Sequence, residues 1–324
     1  MMFGGGHAVR TRMLTSQAFL LGIMITWIQV PSSAIFLSAY GSRLLPVTYV
    51  GAAVIGAAAT TMMVRAMRRR SLVSIAVGLL PVIACALAAA WAALWRLELD
   101  EVAFALLVIV PILVPMGFVF LVGQAGALYD VRELKRLYPR VIAGFAAGAI
   151  VGGLAAPLLL SLFGRTEHLL LAGAVAALLL LLTVRLTRHR FSSELSVVQS
   201  SEPGERPTLR SLLSNRFVVL IMGFQMLSAV ESQWLDFLMW NRAARRYPDT
   251  HALATFASRV MSIEYGSNIL FLLLLAGFLL RRFGLRYGLT ANAGIVLALI
   301  AVMLGTGAAL GSGATVVFVL IVAT

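Results

Sequence analysis

The sequence predicts an all-α polytopic membrane protein, a bundle of helices that cross a bilayer many times. Of its 324 residues, 60% are hydrophobic and only 12% are charged, whereas soluble domains carry about 25% charged residues. Apolar runs of about 20 residues, the length that spans a bilayer, recur along the chain. The runs are continuous and do not alternate in polarity, which favours helices over a β-barrel.

The apolar runs predict ten membrane helices in order. They lie at about 15–40, 46–66, 71–95, 101–128, 139–163, 167–187, 213–240, 250–280, 285–305 and 311–324. The tenth run is short for a membrane span. We therefore expect the chain to be part of a longer protein, with about ten of twelve helices present.

One long polar stretch, RHRFSSELSVVQSSEPGERPTLR, separates the sixth run from the seventh. Its Ser, Glu, Pro and Gly content is typical of a flexible connector. The prediction is a six-helix bundle over 1–187, a cytoplasmic linker over 188–212 and an incomplete four-helix bundle over 213–324. Two six-helix halves around a central cytoplasmic loop are the layout of major facilitator transporters, whose halves rock about a central site.

Basic residues are distributed unevenly between the two sets of loops. The N-terminal tail and every second loop after it hold 19 Arg and Lys, and the opposite loops hold 6. The positive-inside rule then predicts a cytoplasmic N-terminus and a multi-pass protein of the cell (inner) membrane. The net charge of +13 is a topology signal, and we expect a lipid bilayer and no nucleic acid as partner.

Charged residues inside membrane helices are candidate functional residues, because burying a charge is expensive. They cluster in the seventh and eighth runs, at Glu231, Asp236, Arg259 and Glu264. An antiparallel pair of helices turning near residue 248 would place Asp236 level with Arg259, and Glu231 level with Glu264. The functional interpretation is a substrate or proton site built on the two glutamates. The alternative is a structural ion pair with acids that reach an aqueous vestibule.

Weaker candidates accompany these charges. Asn268, Gln29 and Gln124 are polar residues within predicted spans and complete the predicted substrate or proton site. The mixed-charge segment DVRELKRLYPR (130–140) is either a cytoplasmic gate or a solvated loop. The gate residues would be Asp130, Arg132, Lys135, Arg136, Arg281 and Arg282.

Gly144, Gly148 and Gly152 lie four residues apart in the fifth run. This spacing puts them on one face of a helix, as in membrane helices that pack closely. A phosphate-binding loop would need its glycines in a turn before a helix, so we interpret these glycines as a packing stripe.

No enzyme motif stands out, and we expect neither an enzyme nor a cofactor. The sequence lacks GxxxxGK[ST], HExxH and GxSxG patterns, and its four histidines are scattered. Cys85 is the single cysteine, so it can form no internal disulfide. No metal site is expected.

Three stretches resemble the ATP:ADP antiporter (nucleotide transporter) family of the major facilitator fold. They are DVRELKRLYPRVIAGFAAGAIVGG, SAIFLSAYGSRLLPVTYV, and the region from WLDFLMWNRAARRYPDTHALATFASRV to GFLLRRFGLRYGL. The resemblance implies a monomeric secondary transporter that moves a nucleotide or another organic anion by alternating access. One departure is the uncharged stretch WIQVPSSAIF, because family members carry charges there that suit a polyphosphate.

Two other functions remain open on the residues alone. One is a proton-coupled transporter for a neutral, cationic or lipid-like substrate, with Glu231 and Glu264 as its proton or cation sites. The other is a non-transporting membrane module attached to a regulatory domain.

Overall fold

The computed structural model describes residues 4–195 and 213–271, together with the single positions 274, 282, 301 and 302. Within these residues the regular structure is helical throughout, and no strand occurs. Seven of the described helices are long and apolar enough to cross a membrane. The predicted ninth and tenth runs lie outside the described residues, apart from positions 301 and 302.

The described part contains nine α-helices. They are α1 (Gly4–Tyr40), α2 (Leu45–Met67), α3 (Leu72–Leu97), α4 (Glu101–Leu128), α5 (Val131–Phe163), α6 (His168–Arg190), α7 (Ser192–Leu195), α8 (Arg216–Arg246) and α9 (Thr250–Leu270). A 3-10 turn, Ser42–Leu44, joins α1 to α2. The seven candidate spans found among the described residues comprise α1 to α6 and α8.

Short polar or glycine-containing turns end the helices. Gly41 and Gly164 have positive φ angles of 66° and 71° after α1 and α5, a backbone conformation that glycine adopts without steric cost. Ser71 caps α3 by accepting a hydrogen bond from the Ser74 N–H, and this satisfies one of the free amides at a helix start. These turns reverse the chain so that consecutive long helices run antiparallel.

α1 occupies the centre of the described helices. Its membrane window is 78% buried, well above that of the other candidate spans, and it packs against α4, α5, α6 and α9. Leu14, Ile28 and Phe36 are completely buried along its length. A helix that is apolar on all sides is expected at such a central position.

Contacts between helix ends define two faces of the bundle. On one face, Arg10 of α1 reaches the Leu128 carbonyl at the end of α4; we call this the N-terminal face. On the other, the opposite face, Trp91 of α3 donates a 2.8 Å hydrogen bond to Nδ1 of His168 at the start of α6. Trp91 also stacks on Trp95, and such aromatic side chains are typical of a membrane–water interface.

Two predicted boundaries were wrong, and both errors have the same cause. The segment 130–140 was predicted as a loop, but α5 begins at Val131 and includes Pro139. Similarly, α6 continues to Arg190 and α7 follows, so residues 188–195 of the predicted linker are helical. Charge and proline end an apolar run, but they do not end a helix that projects beyond the bilayer.

The predicted glycine stripe lies against α1. A Cβ atom at Gly148 would collide with the backbone carbonyl of Phe19, and one at Gly144 would lie 2.9 Å from the Thr15 side chain. The contact is reciprocal, because a Cβ at Gly22 of α1 would collide with the Phe145 carbonyl of α5. The two backbones thus approach closely, as small residues permit between membrane helices.

Candidate functional site

The helix pair α8–α9 carries the predicted charged residues. Asn215 caps α8 by accepting from the Phe217 N–H, and Asp249 caps α9 by accepting from the Ala252 N–H. The turn between the two helices spans 247–249, where the sequence predicted it. Residues 231–236 therefore precede this turn on α8, and residues 259–264 follow it on α9.

Asp236 is held by two hydrogen bonds. The Tyr49 hydroxyl of α2 donates to its Oδ2 at 2.7 Å, and the Trp240 indole N–H donates to its Oδ1 at 2.8 Å. Tyr49 lies 187 residues earlier in the chain, so the first bond joins α2 to α8. Both carboxylate oxygens thus have a donor, as a polar group in the membrane requires.

A second hydrogen bond, nearer the opposite face, joins the 3-10 turn before α2 to α8. The Ser42 hydroxyl donates to Oδ1 of Asn241 at 2.7 Å, and the neighbouring Trp240 is only 6% exposed. We call Ser42, Tyr49, Asp236, Trp240 and Asn241 the opposite-face contact. It is polar on the α2 side and is backed by a buried aromatic ring on α8.

α9 packs against α5 through small residues and one aromatic pair. The Ser262 hydroxyl donates to the Ile150 carbonyl at 3.4 Å, and a Cβ at Gly153 would lie 2.7 Å from the Ser258 carbonyl oxygen. Further along, the rings of Phe145 and Tyr265 meet edge to face at 5.6 Å. The same helix α5 therefore contacts α1 through one glycine set and α9 through Gly153.

The predicted charges do not pair as expected. Asp236 takes its hydrogen bonds from Tyr49 and Trp240, and no salt bridge joins it to the exposed Arg259 within the described residues. Glu264 is exposed on α9. Glu231 is half-buried on α8, and Asn268 is exposed on α9. Asp236 is thus the predicted acid that the fold links to another helix by a described hydrogen bond.

Gln124 belongs to a different cluster inside the bundle. Its Nε2 donates to Oε1 of Gln17 at 3.0 Å, and Nε2 of Gln17 donates to the Thr187 hydroxyl at 2.8 Å. The three residues join α4, α1 and α6 and are at most 2% exposed. Gln29, the other predicted polar residue, is half-buried on α1.

The N-terminal face carries two salt bridges between described residues. Arg10 pairs with Glu194 of α7 at 3.0 Å, and His7 lies 3.7 Å from Glu133 of α5. The Arg10 guanidinium also sits 5.0 Å from the Phe191 ring centroid. A hydrogen bond from Ser193, one from the backbone and the charge of Arg10 lower the pKa of Glu194 below its ordinary value of 4.5.

These bridges involve other residues than the predicted gate. Asp130 and Arg132 form no salt bridge with a described residue, and Arg282 is an exposed single position. The side chains of Lys135 and Arg136 and the whole of Arg281 lie outside the described residues. Of the mixed-charge segment, Glu133 is the residue with a described ionic contact.

Sequence reasoning missed several of these contact residues. Tyr49 carried no signal beyond being an aromatic residue near the end of a predicted span. Arg10 was counted only as a topology charge, and Glu194 was placed in the flexible linker. A polar aromatic residue at the depth of an intramembrane acid is the signal that could have identified Tyr49.

We compared the chain with known protein families, curated proteins and solved structures. No family model, curated protein or solved structure matches the chain.

Proposed function

We propose that this chain is a secondary membrane transporter that works by alternating access. The observation that carries the proposal is the bond between Tyr49 of α2 and Asp236 of α8. It links helices on either side of the long polar stretch through an intramembrane carboxylate. Ionisable residues within membrane helices are costly, and they commonly mark substrate or ion pathways.

The distribution of contacts fits a protein that is closed on one face. Ser42 and Asn241 meet near the turn after α1, together with the buried Trp240. Toward its other end, before Trp240, α8 contains no buried residue. In alternating access, one half rocks against the other, so contacts at one face exchange for contacts at the other.

For the substrate, the resemblance to ATP:ADP antiporters supports a nucleotide or another organic anion. In this proposal the major facilitator fold supplies two halves, 1–187 and 213–324, joined by the cytoplasmic connector. The protein would act as a monomer in the cell (inner) membrane. A polyphosphate would require several Arg or Lys side chains in the cavity.

A second substrate class is favoured by the charges of α8 and α9. Asp236 and Glu264 are carboxyl groups on consecutive helices, and no salt bridge between described residues joins Arg259 to Asp236. Neighbouring carboxyl groups readily share a proton. The alternative is therefore proton-coupled transport of a neutral or cationic substrate.

Uptake by the full-length protein in proteoliposomes tests the proposal. Uptake of labelled ATP or ADP into vesicles loaded with a counter-substrate tests transport of a nucleotide anion. A substrate-driven pH change inside the vesicles tests proton coupling. A protein that moves neither would instead support a non-transporting membrane module.

A cross-link tests the alternating-access step itself. The double variant Ser42→Cys, Asn241→Cys in a Cys85→Ala background places thiols where 2.7 Å now separates the two side chains. Joining them with a short thiol cross-linker should stop transport, whereas the single variant Ser42→Cys treated in the same way should keep it. Transport at full rate in the cross-linked protein would rule out rocking at this contact.

A further inference from the structure

A small cavity lies between α1, α3, α4 and α6, apart from the acids of α8 and α9. Its volume is about 40 Å³. Most of its lining is apolar and includes Met24 of α1, Ala76 of α3 and Leu180 of α6, while Gln17 and Gln124 supply polar groups. The cavity is independent of the opposite-face contact.

One polar atom at this cavity lacks a partner. Gln124 is only 2% exposed, and its Oε1 is buried. This oxygen accepts no hydrogen bond from a described residue. Leaving a buried acceptor unpaired is unfavourable, because the group loses its hydrogen bonds to water and gains none in return. Native proteins avoid this cost by pairing such groups with protein or with ordered water.

The neighbouring side chains cannot supply the missing donor. Nε2 of Gln17 is already committed to Thr187, whose hydroxyl donates to the Thr183 carbonyl. Reversing both amides would leave Nε2 of Gln124 unpaired and turn its Oε1 toward the Phe120 carbonyl, to which Nε2 now donates at 3.3 Å, so the orientation shown is favoured. In either orientation, one end of the amide chain needs a partner from outside the protein.

The size and lining of the cavity limit what this partner can be. A volume of about 40 Å³ is far below the roughly 300–1,000 Å³ of pockets for larger ligands. An ion is disfavoured because the described residues that line the cavity include no charged side chain to pair with it. A cavity needs only about 10–15 Å³ of such space to hold a water molecule, and water can both donate and accept.

We infer that this cavity is a hydration site, in which a water molecule completes the hydrogen bonding of Gln124. The water extends the chain of hydrogen bonds Gln124–Gln17–Thr187, which joins α4 to α1 and α6 within the membrane.

Hydroxyl-radical labelling by synchrotron radiolysis tests the inference on the full chain in nanodiscs. Radiolysis of a bound water oxidises the nearest reactive side chains, and methionine forms its sulfoxide readily. Met24 lines the cavity and is 2% exposed, whereas Met261 is 4% exposed and does not line it. We expect Met24 to be oxidised several-fold faster than Met261. Equal rates would overturn the inference.

Two variants connect the signal to the site. Ala76→Val fills the cavity from α3 and leaves both amides in place, and Gln124→Leu removes the unpaired oxygen. Both should lower Met24 oxidation toward the rate of Met261, and Ala84→Val, two turns along α3 and also buried, should leave it unchanged. If Met24 stays rapidly oxidised in the filled Ala76→Val protein, the water that labels it is elsewhere and the inference is wrong.

Discussion

The hydroxyl of Tyr49 on α2 donates a 2.7 Å hydrogen bond to the Asp236 carboxylate on α8. Tyr49→Phe removes this bond and keeps the ring, so Asp236 retains only Trp240 as a donor. We expect a loss of about 1 kcal/mol in stability, the usual size for a hydrogen bond in a membrane protein. Thermal unfolding in detergent measures it, with the exposed Tyr138→Phe as control. Equal unfolding temperatures for the two variants would mean that the bond contributes nothing.

Neutralising the acids of α8 and α9 separates function from folding. Asp236→Asn, Glu231→Gln and Glu264→Gln should each abolish transport, because each removes an ionisable group from the proposed site. Membrane insertion should remain intact, since neutral amides are easier to bury than carboxylates. Initial uptake rates, normalised to inserted protein, provide the measurement. Glu101→Gln, an exposed acid in the first turn of α4, is the control, and full uptake in all three variants would refute the site.

The glycine contact predicts opposite effects at two helical glycines. Gly148→Ala should destabilise the protein by about 1–3 kcal/mol, because its methyl group meets the Phe19 backbone, which cannot rotate away as a side chain would. Gly78→Ala should be neutral or stabilising by up to about 1 kcal/mol, since nothing lies within 4 Å of its Cβ position. Thermal unfolding and folded yield compare them. If both variants behave alike, α1 and α5 do not touch at Gly148.

The Arg10–Glu194 salt bridge predicts a pH-dependent contribution to stability. The pKa of Glu194 is lowered in the folded protein, so the folded state favours the ionised carboxylate. Its contribution is therefore present above the unfolded pKa, near 4.5, and is lost as the pH falls through the lower folded value. We expect Glu194→Gln to be less stable than the unchanged protein at pH 7 and equally stable in strong acid.

A double-variant cycle with Arg10→Gln isolates this pair. If the two residues are coupled, the double variant should lose less stability than the sum of the single variants at pH 7. Because Glu194 is partly exposed, the coupling should weaken at high salt. Additive losses at every salt concentration would show that the bridge contributes no coupling energy.

The existence of the long helices could be predicted from the sequence because the membrane imposes them. A chain in lipid must satisfy its own backbone hydrogen bonds, so an apolar run long enough to cross becomes a helix. The predicted run 101–128 coincides with α4 for this reason. The start of α5 at Val131 could not be predicted in this way, because its first turns are polar and contain Pro139.

The site was harder to predict because its geometry depends on rotation as well as depth. Counting residues from the turn placed Asp236 level with Arg259, but it could not reveal which sides of the helices face each other. Asp236 in fact bonds with Tyr49, a residue of another helix. The apolar sequence of α2 gives no measure of how α2 and α8 are rotated toward each other.

The continuous helix α5 connects the glycine contact in the bundle to the N-terminal face. Its glycine contact with α1 at Gly148 lies fifteen residues from Glu133, about 22 Å along the axis. If α5 tilted by roughly 10° about the glycine contact, its Glu133 end would move about 4 Å sideways over that length. This displacement is enough to break the contact between Glu133 and His7. A small tilt of α5 within the membrane would therefore separate these two side chains at the surface.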